Sequence, residues 1–196
     1  MSLNPEISNI EHELLSNEWG TLYRIDYDYQ FKNGEWRRVS RECYNRGNGT
    51  AILLYNRTKA TVILTKQFRM PAFENSKSEG MSIEVCAGAL DTGENAETCI
   101  IREVKEEVGY RIHSAREVLQ TYMSPGAITE KLHLFVAEVS DEMKMYKGGG
   151  LESENEEIEI LEIKIEEALR MIDLKEIRDA KTIMLLQFAQ INNLLV

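Results

Sequence analysis

Glu103, Glu106 and Glu107 are the side chains whose type and spacing most directly suggest chemistry. On a helical wheel of roughly 100° per residue they share one arc, beside the arc of Ile100, Ile101, Val104 and Val108 that would be buried. Lys105 and Arg102 fall further round. Carboxylates at i, i+3 and i+4 repel one another by roughly a few tenths of a kcal/mol per pair when nothing compensates them. A solvated acidic face is the ordinary explanation of such a row. A row set against the buried edge of a helix is better explained by a hard divalent cation, which takes carboxylate oxygens as ligands.

The elements that must position these groups can be traced outward from Gly88–Tyr110, read as a glycine turn, a short acidic loop and a helix of about four turns. A strand over Met81–Ala87 runs into it. Earlier strands are expected at Ala51–Tyr55 and Thr61–Phe68, joined by Asn56-Arg57-Thr58-Lys59, with a polar loop over Pro71–Gly80. Later strands are expected at Ala115–Tyr122 and Leu132–Val139, either side of Ser124-Pro125-Gly126. Lys147-Gly148-Gly149-Gly150 opens a mobile acidic loop carrying Glu152, Glu154, Glu156 and Glu157. Ile158–Ile165 alternates as a strand, and Ile165–Ile172 and Ala180–Leu195 have helical periodicity. At the other end, residues 4–18 read as a short strand or a helix. Thr21–Phe31 and Trp36–Tyr44 flank a Lys32-Asn33-Gly34-Glu35 hairpin signal. No helix accompanies this hairpin, so it must pack on the following domain or on a second copy of itself. Arg46-Gly47-Asn48-Gly49 punctuates the chain, giving an N-terminal β hairpin element over 1–46 and a second domain over 47–196. The class is α+β or a mixed α/β sandwich.

Composition narrows the partners. The chain has 196 residues, 43% of them hydrophobic, and a net charge of −10 from 23 basic and 33 acidic residues. That balance argues against nucleic acid, whose phosphates need a basic face. It also obstructs a phosphorylated substrate unless bound metal and placed arginines reverse the field locally. Cys43, Cys86 and Cys99 are odd in number and lack metal-binding spacing, as expected of small buried hydrophobes in a reducing compartment. No apolar run is long enough to span a bilayer, so a cytoplasmic location and no membrane partner are expected.

Gly88, Glu94, Arg102-Glu103-Val104, Glu106-Glu107 and Gly109-Tyr110 together resemble the Nudix box with no position missing. The resemblance implies a mixed α/β/α sandwich with an added N-terminal antiparallel β element, and hydrolysis of a nucleoside diphosphate linked to another group. Residues from about Trp19 to Thr182 resemble the GDP-mannose pyrophosphatase branch. The matching segments are Arg41–Gly49, Gln67-Phe68-Arg69, Tyr122–Gly126, Thr129-Glu130, the glycines at 148–150 and Ile177–Thr182. An ADP-ribose pyrophosphatase is the alternative; those relatives usually have a proline where this chain has Cys86. A Nudix-fold sensor that binds a nucleotide without cleaving it is a third reading, opposed by the intact carboxylates.

By resemblance, Glu103, Glu107 and the backbone carbonyl of Ala87 hold Mg²⁺, with Mn²⁺ an acceptable substitute. Glu106 assists, and Arg102 orients a glutamate. A loop glutamate, aligned as Glu156 with Glu154 or Glu152 as replacements, binds metal and activates water. The implied substrate contacts are Trp19, Arg41, Glu42, Arg69, Ala87, Glu107, Glu130, Glu156 and Lys181. Ser40 stands where that branch has a lysine, and Trp19 could equally be a core residue. The implied products are GMP and mannose 1-phosphate, and the implied assembly is a homodimer that exchanges its N-terminal element.

Overall fold

Three long strands open the chain: β1 (Ile7–Asn17), β2 (Thr21–Gln30) and β3 (Trp36–Asn45), in an antiparallel sheet of that order. The computed structural model describes residues 5–150 and 157–195, which form two units. The first unit contains this sheet and Tyr122–Lys131, which is tied to β3 by Tyr44 N–H donating to Ala127 O (2.8 Å) and Thr129 N–H to Tyr44 O (3.0 Å). Gly34 takes φ +84°, and Gln30 pairs with Trp36, so the hairpin closes where Asn33-Gly34 places it. Residues 4–18, left open between strand and helix by the sequence, supply the edge strand β1. Its register shifts twice, and Ile7, Ile10, Leu14 and Leu15 remain exposed on it.

The second unit is built on a seven-stranded sheet. Its strands are β4 (Gly49–Asn56), β5 (Thr61–Phe68), β6 (Met81–Glu84), β7 (Cys86–Ala89), β8 (Arg116–Tyr122), β9 (Lys131–Glu138) and β10 (Glu159–Lys164). The order is β10-β5-β4-β9-β8, with β6 on β5 and β7 on β4. Every residue of β4 is buried, as its nearly unbroken apolar run requires. It runs parallel to β9 and divides its other edge between β7 (from Gly49 to Ile52) and β5 (from Leu54 to Asn56).

Among the described residues four α-helices accompany the sheet: α1 (Met70–Ser76), α2 (Ala96–Glu103), α3 (Ile165–Asp173) and α4 (Ala180–Ile191). The chain over Val104–Val108 continues α2 as a wider π-helical turn. Ile52, Leu54, Ile63 and Phe135 form one core with Ile100, Val104 and Val108 of that helix. By the alternation of strand side chains, Ala51 and Leu53 point to the other face, and α4 packs on β4 and β6. Helices therefore layer a mixed sheet, as expected.

Two local expectations fail. Where a polar loop was expected over Pro71–Gly80, the helix α1 runs from Met70 to Ser76, because proline is tolerated in a first turn and Lys77, at φ +60°, closes the end with its N–H on Phe73 O. The single strand expected over Met81–Ala87 is broken at Val85. There the N–H leaves the ladder and donates to Thr182 Oγ1 (2.8 Å), and the chain changes partner from β5 to β4.

Candidate active site

The carboxylate helix starts from a conventional cap: Asn95 Oδ1 accepts from the N–H groups of Glu97 (2.9 Å) and Thr98 (3.2 Å). Its other end is unusual. Gly109 takes φ +74°, and a side chain there would strike the Tyr146 carbonyl. Carbonyls that a helix end normally leaves unpaired are met by the segment after β9. Gly149 N–H donates to Glu107 O (2.7 Å), Met145 N–H to Gly109 O (2.8 Å), and the Tyr146 hydroxyl to Lys105 O. These outside donors accompany the π turn, a widening that recurs at functional positions.

The three glutamates consequently have different environments. Glu107 is 4% exposed, with the Ala87 N–H donating to its Oε2 (3.2 Å). The Cys86 thiol lies nearby, its pKa pushed well up by burial and then by the Glu107 charge. Glu103 lies over Gly88, where a methyl group would collide with its carboxyl. Gly88 has no positive φ, so this close approach is what requires glycine. Glu106 is more exposed and accepts from Arg102 (3.0 Å), which also pairs with Glu103 (2.9 Å) and reaches Glu94 (3.7 Å). Arg102, expected to orient one glutamate, thus pairs with three carboxylates.

Among the described residues no group of three His, Cys, Asp or Glu side chains is arranged to hold a metal by itself. Mg²⁺ does not need one, because it binds through one or two carboxylates and keeps water and substrate phosphate as its other ligands. Glu103 and Glu107 are hard oxygen donors that meet the Ala87-Gly88 backbone, in a space that a side chain at 88 would fill. These residues fit such an ion. Gly88→Ala is therefore expected to leave the fold intact, because the displaced atoms are the far end of a flexible side chain. It should raise the Mg²⁺ concentration for half-maximal activity by about tenfold or more, the scale of a lost supporting contact. Metal titration of the variant's activity checks this, and an unchanged midpoint would count against the arrangement.

A second cluster was only half legible in the sequence. Arg69 donates Nε and Nη2 to the two oxygens of Glu84, both at 2.9 Å. Lys181 Nζ donates to Glu84 Oε2 (2.7 Å) and Asp179 Oδ1 (2.9 Å). Asp179 also accepts from Thr182 N–H (3.0 Å) and hydroxyl (2.6 Å), capping α4. Arg69 lies within electrostatic reach of Glu107, whose charge helps raise its pKa behind the larger effect of Glu84. Glu84, Asp179 and Thr182 were not anticipated. The available signal was Glu84 itself, an isolated charge between the apolar Ile83 and Val85, and such a charge demands a partner if it is buried.

Burial pushes the Glu84 carboxyl up, but Arg69 and Lys181 outweigh it and bring the pKa to about 2 from 4.5. The folded pKa lies below the unfolded one, so the stabilisation is present above pH 4.5 and disappears as pH falls toward 2. Its size is about 3 kcal/mol by linkage. Urea unfolding at pH 6 and pH 2.5 should show a larger acid loss for the natural chain than for Glu84→Gln. Equal losses would contradict the assignment.

In the first unit, Trp19 is 77% exposed, which rejects a core role, and the Arg46 guanidinium stands 4.7 Å from its ring centroid. Arg46 Nε is 3.4 Å from Glu130, whose side chain is largely buried. Arg41 and Glu42 lie exposed on β3. Trp19, Arg41, Glu42 and Glu130 thus belong to the first unit; Arg69, Ala87, Glu103, Glu106, Glu107 and Lys181 belong to the second. Glu156, with Glu152 and Glu154, lies outside the described residues.

A glutamate-bearing helix laid against a glycine turn, on a mixed sheet layered by helices, defines a class, and comparison with known proteins agrees. The NUDIX domain model matches residues 45–186, and the chain belongs to that family of hydrolases. A second model, described as the GDP-mannose pyrophosphatase NudK N-terminal domain, matches residues 6–44. The chain is 47% identical over 195 residues to a GDP-mannose pyrophosphatase of Cronobacter sakazakii, with 100% of both chains covered. It is 45% identical over 193 residues to proteins of the same name from Shigella dysenteriae serotype 1 and Escherichia coli O157:H7, covering 98% of this chain and 100% of each relative. A solved ADP compounds hydrolase shares the fold, with a TM-score of 0.70 and 21% identity over 97% of this chain and 95% of that one.

Proposed function

We propose that the chain hydrolyses the diphosphate bond of a nucleotide sugar, with GDP-mannose as substrate and GMP and mannose 1-phosphate as products. The observation that carries this reading is the pair of clusters in the second unit. Glu103 and Glu107 meet the Ala87-Gly88 backbone, and the Arg69 and Lys181 cations share Glu84 within electrostatic reach of Glu107. Full-length identity to proteins named GDP-mannose pyrophosphatase supports the choice of sugar nucleotide.

In this reading Glu103, Glu107 and the Ala87 carbonyl hold Mg²⁺, or Mn²⁺ in its place, with Glu156 as a further ligand. When bound, the ion neutralises the diphosphate and acidifies the attacking water. Glu156 takes the proton of that water as general base, and Glu106 supports the carboxylate row through Arg102. Arg69 grips phosphate oxygens with the guanidinium N–H groups that Glu84 does not take, and Lys181 adds a point charge. Trp19 supplies an indole face for the base, with Arg41, Glu42 and Glu130 completing the substrate contacts.

Residues 1–46 are the N-terminal element of a homodimer, and 47–196 the hydrolase domain. The exposed apolar side chains of β1 support a second copy as their cover. Free cysteines at 43, 86 and 99 suit a cytoplasmic location. No described helix is long and apolar enough to cross a membrane.

The deciding experiment measures kcat/KM for GDP-mannose and ADP-ribose side by side with Mg²⁺. A preference of at least about tenfold for GDP-mannose, or 1.4 kcal/mol at the transition state, is expected. A preference for ADP-ribose, or no Mg²⁺-dependent turnover, would overturn the reading. Sedimentation at micromolar concentration should give a dimer.

A further inference from the structure

We infer that Glu84 is a positioning residue for this hydrolysis: its carboxylate sets the Arg69 fork and the Lys181 ammonium at the spacing that grips a diphosphate. The inference rests on the reading of Arg69 and Lys181 as substrate contacts and goes beyond it. Arg69 comes from the junction of β5 and α1, and Lys181 from the first turn of α4. Two cations brought together from separate elements repel unless an anion lies between them, and Glu84 is the group both touch. Both Glu84 oxygens engage Arg69, which fixes the plane of the guanidinium as well as its place.

Glu84 is itself rigidly held. It ends β6 immediately before the break at Val85, where Thr182 takes the backbone N–H, and Asp179 holds both Thr182 and Lys181. It remains ionised across the working pH range, its pKa drawn down by the two cations against the opposing effect of burial. The same β6–β7 run delivers Ala87 to Glu107 three residues later, so Glu84 keeps the cationic cluster in register with the carboxylate helix. Misplacement by about 1 Å at such a site costs on the order of a hundredfold in rate.

The test compares kcat/KM on GDP-mannose, with Mg²⁺, for Glu84→Gln, Arg69→Gln and the double variant, with urea midpoints measured for each. Each single change is expected to lower kcat/KM by roughly a hundredfold. The double variant should lose at least about fivefold beyond Arg69→Gln, because Lys181 is then unanchored as well, yet less than the product of the two single losses, because residues acting as one unit are not additive. A purely structural ion pair would move the urea midpoint and leave the kcat/KM of the folded fraction unaltered. Glu84→Gln within threefold of the natural chain beside a crippled Arg69→Gln would overturn the inference alone. Arg69→Gln at natural activity would instead sink the reading of Arg69 as a substrate contact, and this inference with it. Should Glu84→Gln fail to fold, the double variant, which removes the ion pair as a pair, decides against Arg69→Gln. A further loss beyond about fivefold upholds the inference, and a smaller one overturns it.

Discussion

Glu107→Gln is expected to lower kcat by at least about a hundredfold, the scale of one lost electrostatic stabiliser, while the protein melts no lower than the natural chain. Both halves follow from the same environment. The Glu107 carboxylate is buried beside Glu103, and Ala87 N–H donates to it. Glutamine retains an oxygen for that N–H, so the local hydrogen bond survives. The substitution also removes one of the like charges that crowd the helix, which relieves repulsion in the metal-free protein. What it cannot retain is a second anionic oxygen donor for a divalent ion, and Mg²⁺ binds neutral amides far less readily than carboxylates. Steady-state kinetics at saturating Mg²⁺ and a thermal melt without metal check the two halves separately. Near-natural turnover would remove Glu107 from the site. Lost activity with a collapsed melt would mean that the carboxylate is structural instead.

The largest expected effect on stability lies at Asp179. Its Oδ2 accepts from the N–H and hydroxyl of Thr182 and its Oδ1 from Lys181. Asp179→Ala removes the α4 cap, at about 1 kcal/mol. It also strips one of two anions from Lys181, whose side chain is only 13% exposed, and leaving a buried charge underpaired costs on the order of 1–3 kcal/mol. A total of about 3 kcal/mol should lower Tm by roughly 6–12 °C in a chain of this size. Asp179→Asn should fall between, since an amide oxygen still caps but carries no charge. Equal melts for alanine and the natural residue would show that the start of α4 is held by packing alone.

The site was legible where it is contiguous. The Nudix box packs glycine, glutamates and arginine into one stretch, and the buried arc of Ile100, Val104 and Val108 follows from helical spacing alone. The strand expected over Thr61–Phe68 likewise coincides with β5. What escaped was decided by distant partners. The β6–β7 break depends on a hydroxyl 97 positions away, and the Glu84–Lys181 pair spans the same separation. The π turn answers to carbonyl partners from residues 145–149, which no periodicity of the helix itself reveals. The helix α1 was missed because Pro71-Ala72-Phe73-Glu74-Asn75-Ser76 is too short to show a period, and its ends are fixed by a proline and a left-handed lysine. Trp19 needed the fold to be told apart from a core residue, since an indole suits either place.

The bond from Val85 N–H to Thr182 has a consequence for dynamics. Neighbouring strand amides are shielded by the sheet, but this one is shielded by the first turn of α4. Its deuterium uptake therefore reports how often that turn lifts away, on a clock separate from the unzipping of β4 and β5.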